Sequence, residues 1–290
     1  MKGRIMKQAI LTLLAAGFFS AAHAQDTALF YEVSGGNLPQ PSYLYGTFHL
    51  VCPADLQVPD AAKKALSESK QLYLELDFDD PALQTNMLKA MMMGDGKTLK
   101  DFLKADDYSA LDAYMQKNLN LGLAQFGIMK PVALMSIMFV SMLNCQPASY
   151  DVTFAQLAGG AGKEVLGLET LEQQMALFDK IPMEEQLKGL VDMARKPDEA
   201  RKEIATLVAA YKAPDLPLIM KLVSESEFDG GTEKFQEEML DKRNITWIPI
   251  IEKAAREKST FFAFGAGHLG GDNGVVSLLR KKGYTVKPMQ

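Results

Sequence analysis

The chain has 290 residues, of which 31 are Lys or Arg and 36 are Asp or Glu, so its formal net charge is −5. This acidic balance, without a basic stripe, argues against nucleic acid or an anionic membrane surface as a partner. A chain of this length can bury a substantial core as one large domain or two small ones.

Residues 1–24 have the pattern of a secretory signal peptide. Three basic residues come first, an apolar stretch covers residues 9–19, and Ala-His-Ala at 22–24 forms a small-x-small cleavage site. The apolar stretch is too short for a stable membrane span, which needs about 20 residues. Removing three basic residues with this leader makes the net charge −8. We therefore expect residues 25–290 to form a periplasmic or secreted protein without a membrane span.

Short runs of β-branched and aromatic residues predict the strands, which lie mainly towards the two chain ends. In chain order they cover residues 44–48, 71–76, 165–168, 260–264 and 284–287. A helix predicted over 60–69 connects the first two strands into a βαβ unit. The last thirty residues repeat this order, with a helix over about 273–281 between the last two strands.

The segments between these strands have helical spacing of their apolar residues. Two large helical insertions are predicted, at about 81–149 and about 171–255, and prolines at 182, 197, 214 and 217 interrupt the second. The expected fold is therefore α/β with α+β character. A small central sheet is built from the two chain ends, and the helical segments are inserted into one domain over 25–290.

Only two histidines remain after the leader, and both lie in the same motif, G-x-x-H-L. His49 is in Gly46–Leu50 and His268 is in Gly265–Leu269, and each motif directly follows a predicted strand. Histidine is the commonest metal ligand, and ligands gather at the carboxyl ends of strands. Each histidine alone is compatible with a structural role, but the matched pair favours one shared site.

Glu75 ends the second predicted strand and is a candidate metal ligand or general base. Asp77 would face the same side of the strand as Glu75, so spacing does not choose between them. Glu75 is favoured as the site residue because it lies nearer the strand. Two imidazoles and one carboxylate would leave an open position for water, as in catalytic zinc sites. The predicted cofactor is a divalent metal, Zn²⁺, Mn²⁺ or Co²⁺.

A helix predicted to start near residue 232 carries Arg243, Asn244 and Trp247. Residues 243 and 247 are one turn apart and share a face. Arg243 could orient a carboxylate or stabilise an oxyanion, with Asn244 as a possible accessory residue. The alternative is an exposed arginine whose stem covers the indole. Pro249 is predicted to kink or end this helix because proline has no amide hydrogen.

Two further carboxylates are possible accessory residues. Asp151 opens a predicted helix, where N-capping is a sufficient explanation for it. Glu169 follows a strand-like run and could either join the site or start the next helix. Nucleophilic catalysis by serine or cysteine has no support, because no G-x-S-x-G motif occurs and neither cysteine has a protease-like context.

Cys52 and Cys145 are the only cysteines. Export allows them to form a disulfide. The alternative is a pair of thiolate metal ligands, since Cys52 lies three residues after His49 and two histidines with two cysteines suit a closed zinc site. The oxidising compartment favours the disulfide.

Five segments resemble the TraB/GumN family, which includes the TIKI metalloproteases: LYGTFHL, LYLEL, VLGLET, RNITW and FGAGHLGGDNGVVSLLRKKGYTV. The resemblance implies an α/β core with helical insertions and, for TIKI members, metal-dependent peptide hydrolysis. By position, His49 and His268 match the family's paired histidines, Glu75 its first acidic residue, and Arg243 its arginine. Asp151 falls where many members have Gly-x-Asp, although Tyr150 stands here in the glycine context.

The resulting functional prediction is an exported metal-dependent hydrolase of the peptidase type, acting on a peptide or small extracytoplasmic substrate. Two alternatives remain open. The same pocket could sequester a peptide without cleaving it, since some family members are thought to block peptide pheromones. A metal-free enzyme could instead use His49 as general base with Glu75, acting on an ester or a glycan.

Overall fold

The computed structural model describes residues 27–226, 228 and 233–289, so the signal peptide predicted at 1–24 lies outside the described residues. The strands are β1 (Phe30–Gly35), β2 (Ser42–Thr47), β3 (Gln71–Leu74), β4 (Glu164–Gly167), β5 (Thr260–Gly265) and β6 (Tyr284–Pro288). The α-helices are α1 (Asp60–Glu68), α2 (Leu83–Ala90), α3 (Ala105–Leu119), α4 (Leu123–Phe126), α5 (Pro131–Met142), α6 (Tyr150–Gly160), α7 (Leu171–Phe178), α8 (Met183–Arg195), α9 (Pro197–Lys212), α10 (Leu216–Glu225), α11 (Glu233–Gln236), α12 (Lys242–Glu257) and α13 (Val275–Lys281).

The strands form one mixed sheet in the order β4-β3-β5-β2-β1-β6. β4, β3, β5 and β2 are parallel, whereas β1 is antiparallel to both of its neighbours. The expected α/β class, with a central sheet and large helical segments between its strands, is confirmed. The two histidine motifs begin in the last residues of β2 and β5, which are adjacent and parallel, so both motifs leave the sheet at the same edge.

Helices cover both faces of the sheet around β5. Phe261 lies 5.2 Å from the ring of Phe154 on α6, and Phe264 lies 5.7 Å from the ring of Trp247 on α12. Residues 261 and 264 point to opposite faces because side chains alternate along a strand. A central parallel strand covered on both faces is expected to be continuously apolar, which explains the Phe-Phe-Ala-Phe run.

A second hydrophobic cluster lies apart from the sheet and joins the two helical segments. It includes Leu111 and Met115 of α3, Met138 of α5, and Leu187 and Leu190 of α8. These helices pack on one another and form a helical layer of their own. Among the described residues, no helix combines the length and apolar character needed to cross a bilayer.

The structure differs from the sequence-based expectations at three places. β1 was not predicted, although Phe30, Tyr31 and Val33 suit a strand; the run is short and ends at two glycines. β3 ends at Leu74, so residues 75 and 76 follow the strand. Pro249 lies inside α12, which continues to Glu257, so it does not end the helix; a kink at this proline stays a prediction.

Candidate functional site

The two histidine motifs lie side by side because they follow paired strands. Gly46 of β2 pairs with Phe264 of β5, and Thr47 pairs with Gly265. After β2 the chain turns into a loop that carries His49. After β5 it forms the 3₁₀ turn Ala266–His268, which ends at the second histidine.

Both motif glycines occupy positions where a side chain would be crowded. A Cβ atom at Gly46 would lie 2.6 Å from Leu269 Cδ1 and 3.0 Å from Ala266 Cα. A Cβ atom at Gly265 would lie 3.3 Å from Glu75 Oε1 and 3.4 Å from His49 Nε2. The first glycine therefore lets the two motifs pack together, and the second leaves space between the polar groups.

The two imidazoles converge on one carboxylate oxygen. His49 Nε2 and His268 Nε2 each lie 3.7 Å from Glu75 Oε1, so the two nitrogens cannot be further apart than twice that distance. The same oxygen accepts a hydrogen bond of 2.8 Å from the backbone N–H of Gly265. His49 is 62% exposed, while His268 is 4% and Glu75 6% exposed. One side of the site is therefore buried and the other reaches solvent.

His268 is held as a neutral imidazole with Nδ1 protonated. Its Nδ1 donates to Asn244 Oδ1 at 2.6 Å, and the Asn244 amide is oriented by donating to the Asn273 carbonyl at 2.9 Å. Burial and the charge of Arg243 lower the pKa of His268 to about 3. Nε2 therefore carries a lone pair, which accepts from Arg243 Nη1 at 3.0 Å.

His49 is oriented by Asp151 instead. Its Nδ1 donates to Asp151 Oδ2 at 2.9 Å, and the other Asp151 oxygen accepts from Thr47 Oγ1 at 3.1 Å. Burial among its neighbours opposes the charged form, but the carboxylates of Asp151 and then Glu75 outweigh it and raise the pKa of His49 to about 9. Solvent screens part of this effect because the side chain is mostly exposed. In this arrangement His49 is a cation at neutral pH.

Arg243 has all five of its N–H donors engaged. Nε and Nη2 donate to Glu169, Nη2 also donates to Glu75, and Nη1 donates to the Met239 carbonyl and to His268. A π-helical turn over Glu237–Asp241 directly precedes the helix that carries Arg243; such turns are frequent at functional sites.

Two carboxylates and one indole surround the guanidinium of Arg243. Its Cζ lies 4.7 Å from the centre of the Trp247 ring, and Trp247 Nε1 donates to Glu169 Oε2 at 3.2 Å. Burial alone would raise the pKa of Glu75, but the charge of Arg243 and then the two histidines hold it well below its usual range. Glu75 is therefore an anion although it is buried.

Seven of the residues expected at the site form one cluster, and Asp77 lies outside it. His49, Glu75, Arg243 and His268 lie together, and Asn244, Asp151 and Glu169 each contact one of these four. Asp77 contacts the backbone of Asp79 and lies outside this cluster.

N-capping does not explain Asp151. Ser149 is the N-cap of α6 and accepts from the Val152 N–H, while the Asp151 side chain turns to Thr47 and His49. The exposed-arginine interpretation of Arg243 is also wrong, because that side chain is only 7% exposed.

Sequence reasoning missed Tyr211, Gln174 and Thr47. The Tyr211 hydroxyl donates to the Gly46 carbonyl at 2.8 Å, and its ring meets Phe48 edge to face at 5.4 Å. Tyr211 therefore ties α9 to the loop of the first histidine motif. Gln174 Nε2 donates to Glu75 Oε2 at 3.3 Å. Tyr211 and Gln174 lie on α9 and α7, helices of the second helical segment, where spacing gives no indication of which face meets the sheet.

Cys52 and Cys145 form a disulfide, as the sequence favoured. The bridge joins the loop after His49 to the segment that follows α5. Their thiolates are therefore not available as metal ligands.

A divalent metal fits the donor types of this site but requires a rearrangement. His49 Nε2 and His268 Nε2 face a single carboxylate oxygen, and each Nδ1 is fixed by an Asp or Asn side chain, as is usual for metal-binding histidines. Arg243 Nη1 now lies on the lone pair of His268 Nε2. In the part of the chain that the structure describes, no group of three or more His, Cys, Asp or Glu side chains is preassembled to hold a metal ion.

Comparison with known proteins identifies a family and a group of relatives. The sequence profile of the TraB/PrgY/gumN family matches residues 29–288. The chain is 24% identical to "Metalloprotease TIKI2" of Xenopus tropicalis over 304 residues, covering 85% of this chain and 57% of that protein. It is 24% identical to "Metalloprotease TIKI1" of Homo sapiens over 303 residues, covering 85% of this chain and 59% of that protein.

A third relative is the "Metalloprotease TIKI homolog" of Amphimedon queenslandica. It is 26% identical over 300 residues, covering 85% of this chain and 59% of that protein. The chain thus spans less than two thirds of the length of the curated relatives it matches. No solved structure matches it.

Proposed function

Because this chain belongs to the TraB/PrgY/gumN family, we propose that it is an exported, metal-dependent hydrolase that cleaves a peptide bond in an extracytoplasmic substrate. The observation that carries the proposal is the convergence of His49 Nε2 and His268 Nε2 on one oxygen of Glu75. The relatives named as metalloproteases support a peptidase-like reaction. The disulfide supports export, because disulfides persist in oxidising compartments.

His49, His268 and Glu75 are the residues that would hold the metal. A bound divalent ion supplies a water of lowered pKa and polarises the scissile carbonyl. Asp151 and Asn244 keep the two imidazoles in the tautomer that leaves Nε2 free to coordinate. His49 must lose its proton to act as a ligand, so metal affinity is expected to increase with pH.

Arg243 has a second role in this proposal. As the side chains stand, each N–H of the guanidinium is engaged. If His268 Nε2 held the metal, its hydrogen bond from Arg243 Nη1 would be lost. That N–H would then be available to a carbonyl oxygen of the substrate, where a charged donor stabilises the developing negative charge. Glu169 keeps the guanidinium in place during this exchange.

A metal-free hydrolase is the second candidate, and one observation favours it. Arg243 already satisfies both Glu75 and His268 without a metal. The raised pKa of His49, about 9, makes it a proton donor rather than a base at neutral pH. A metal-free scheme would therefore use His49 as general acid and would lose activity as the pH rises through 9.

Metal analysis and peptide cleavage test these candidates together. The mature protein is purified without chelator, its metal content is measured, and a peptide library is digested with and without chelator. We expect about one metal per chain and cleavage that chelator abolishes. The variant Glu75→Gln should lose both properties, whereas Glu164→Gln, an exposed glutamate on the neighbouring strand β4, should keep them.

The other outcomes separate the alternatives. Chelator-resistant cleavage would favour the metal-free enzyme. Bound metal without cleavage would favour a peptide-sequestering protein.

A further inference from the structure

A cavity of about 390 Å³ opens directly beside the two histidines. His49, His268 and Arg243 form one part of its wall. The rest of the wall comes from the loop after β2 and from helices of both helical segments. Its size is at the lower end of the range of about 300–1,000 Å³ that is typical of ligand pockets.

The part of the wall away from the histidines is apolar. It includes Phe48 after β2, Met135 and Phe139 on α5, Val223 on α10, and Leu240 in the π-helical turn. These side chains are partly exposed, so they present apolar surface to a bound ligand. Partly exposed apolar side chains gathered in a concave site are typical of a ligand pocket.

The charged groups around the cavity are already paired, which disfavours a charged side chain as its occupant. Among the described residues that line it, none is acidic. The positive charges at the wall are those of Arg243 and His49. Glu75 and Glu169 compensate Arg243, and Asp151 compensates His49. A charged side chain in the apolar part would lose its hydration without gaining an ion pair, which is costly.

We propose that this cavity is a specificity pocket for one large uncharged apolar side chain, such as Leu, Met or Phe, next to the peptide bond that lies at His49 and His268. The occupant is a short peptide segment, because the volume accommodates one or two residues beside the polar wall. This inference rests on the proposed function only for its cleavage measurement, because binding to the pocket does not require turnover.

Binding and cleavage are measured separately on the mature protein. Peptides that differ only at one position, Leu, Phe, Ala, Asp or Lys, are prepared with an uncleavable reduced bond after that position and titrated by calorimetry. The cleavable versions are digested in one mixture, and the products are quantified by mass spectrometry. One methylene in an apolar pocket changes selectivity by about 10–200-fold, and burying an unpaired charge is costly. We therefore expect the peptides with Leu or Phe to exceed the peptide with Asp by at least about 100-fold, both in affinity and in cleavage rate.

A substitution that adds bulk to the wall tests which residues set this preference. Val223→Phe should narrow the pocket and shift the preference from Phe towards Ala by about tenfold or more. Lys221→Phe adds the same side chain to an exposed position of the same helix and should leave the preference unchanged.

The outcomes distinguish this inference from the proposed function. Apolar-selective binding without cleavage supports the pocket and overturns the hydrolase. Cleavage or binding that does not discriminate Leu and Phe from Asp overturns the pocket and leaves the hydrolase standing. Failure of the whole apolar series to bind also overturns the pocket.

Discussion

Gly46 of the first histidine motif packs directly against Ala266 of the second, and a Cβ atom at position 46 would lie 3.0 Å from the Ala266 Cα atom. The contact explains why the first motif has glycine at this position of β2. The two motifs are one structural unit, although more than two hundred residues separate them in sequence.

Gly46→Ala is expected to destabilise the protein and to disturb the site. The new methyl group would lie 2.6 Å from Leu269 Cδ1 and 3.0 Å from Ala266 Cα, so the Leu269 side chain must rotate and the backbone at Ala266 must give way slightly. Overpacking of this kind costs about 1–3 kcal/mol of unfolding free energy, measured by urea denaturation. Gly159→Ala is the control, because nothing lies within 4 Å of its Cβ position in α6. It should be neutral or stabilising by up to about 1 kcal/mol. Equal effects of the two substitutions would contradict the packing argument.

Arg243→Met is expected to be strongly destabilising, because it leaves Glu75 and Glu169 buried without a cation. Removing one partner of a buried ion pair costs about 3–5 kcal/mol. Arg256→Met, on the same helix, removes an exposed pair with Glu252 and should cost about 1 kcal/mol or less. Adding Glu169→Gln to Arg243→Met should recover part of the loss. Equal losses of unfolding free energy in the two arginine variants would show that the buried ion pairs of Arg243 do not stabilise the protein.

The stability of chelator-treated protein should fall as the pH decreases from about 6.5 to 5. His268 has a pKa lowered to about 3 in the folded protein, whereas an unfolded histidine titrates near 6.5. Below 6.5 the unfolded chain therefore binds a proton that the folded chain excludes. Unfolding free energy then decreases by up to about 1.4 kcal/mol per pH unit. The variant His268→Gln should show a shallower slope in urea denaturation at pH 5, 6 and 7.

The contribution of His49 to the unfolding free energy should have the opposite pH dependence. Its pKa is raised to about 9 in the folded protein, so its contribution to stability is present below about 6.5 and is lost as the pH rises through 9. His49→Gln should flatten the stability profile between pH 7 and 9 and leave the profile below pH 6.5 unchanged. A flattened acidic side instead would mean that the two histidines have exchanged roles.

The double variant Cys52→Ser and Cys145→Ser should melt at a lower temperature. The bridge closes a loop with a sequence separation of 93 residues, for which the chain-entropy model gives about 4–5 kcal/mol. Metal stoichiometry in the protein that remains folded should be unchanged, because the sulfurs are paired with each other. Reductant should lower the melting temperature of the wild-type protein and have little effect on the variant. Unchanged stability together with metal loss would instead identify the thiolates as ligands.

Local patterns in the sequence predicted the parallel strand ends well. Phe261–Phe264 is continuously apolar because β5 is covered on both faces, and the glycine after it marks the end of the strand. The placement of His49 and His268 at one sheet edge followed from these patterns. β1 escaped prediction because Phe30–Gly35 is short and is stabilised by pairing with β2 and β6, which no local pattern reveals.

The polar neighbours of the two histidines were harder to predict. Asp151 has the spacing of a helix start, and only the tertiary contact with His49 distinguishes it from a cap. Tyr211 reaches Gly46 across 165 residues of sequence, from a helix whose orientation the sequence does not determine. Whether each N–H of Arg243 has an acceptor depends on distances in the folded protein, which spacing along the sequence does not give.

Anomalous X-ray diffraction from crystals of the metal-loaded mature protein tests whether His49, Glu75 and His268 bind a metal ion. Data collected on both sides of the absorption edge of the bound metal locate it without assumptions about the surrounding density. We expect one strong anomalous peak within about 2.0–2.2 Å of His49 Nε2, His268 Nε2 and Glu75 Oε1, with Arg243 Nη1 withdrawn from His268. A peak at other residues, or an enzyme that is active while no peak lies between the two histidines, would contradict this expectation.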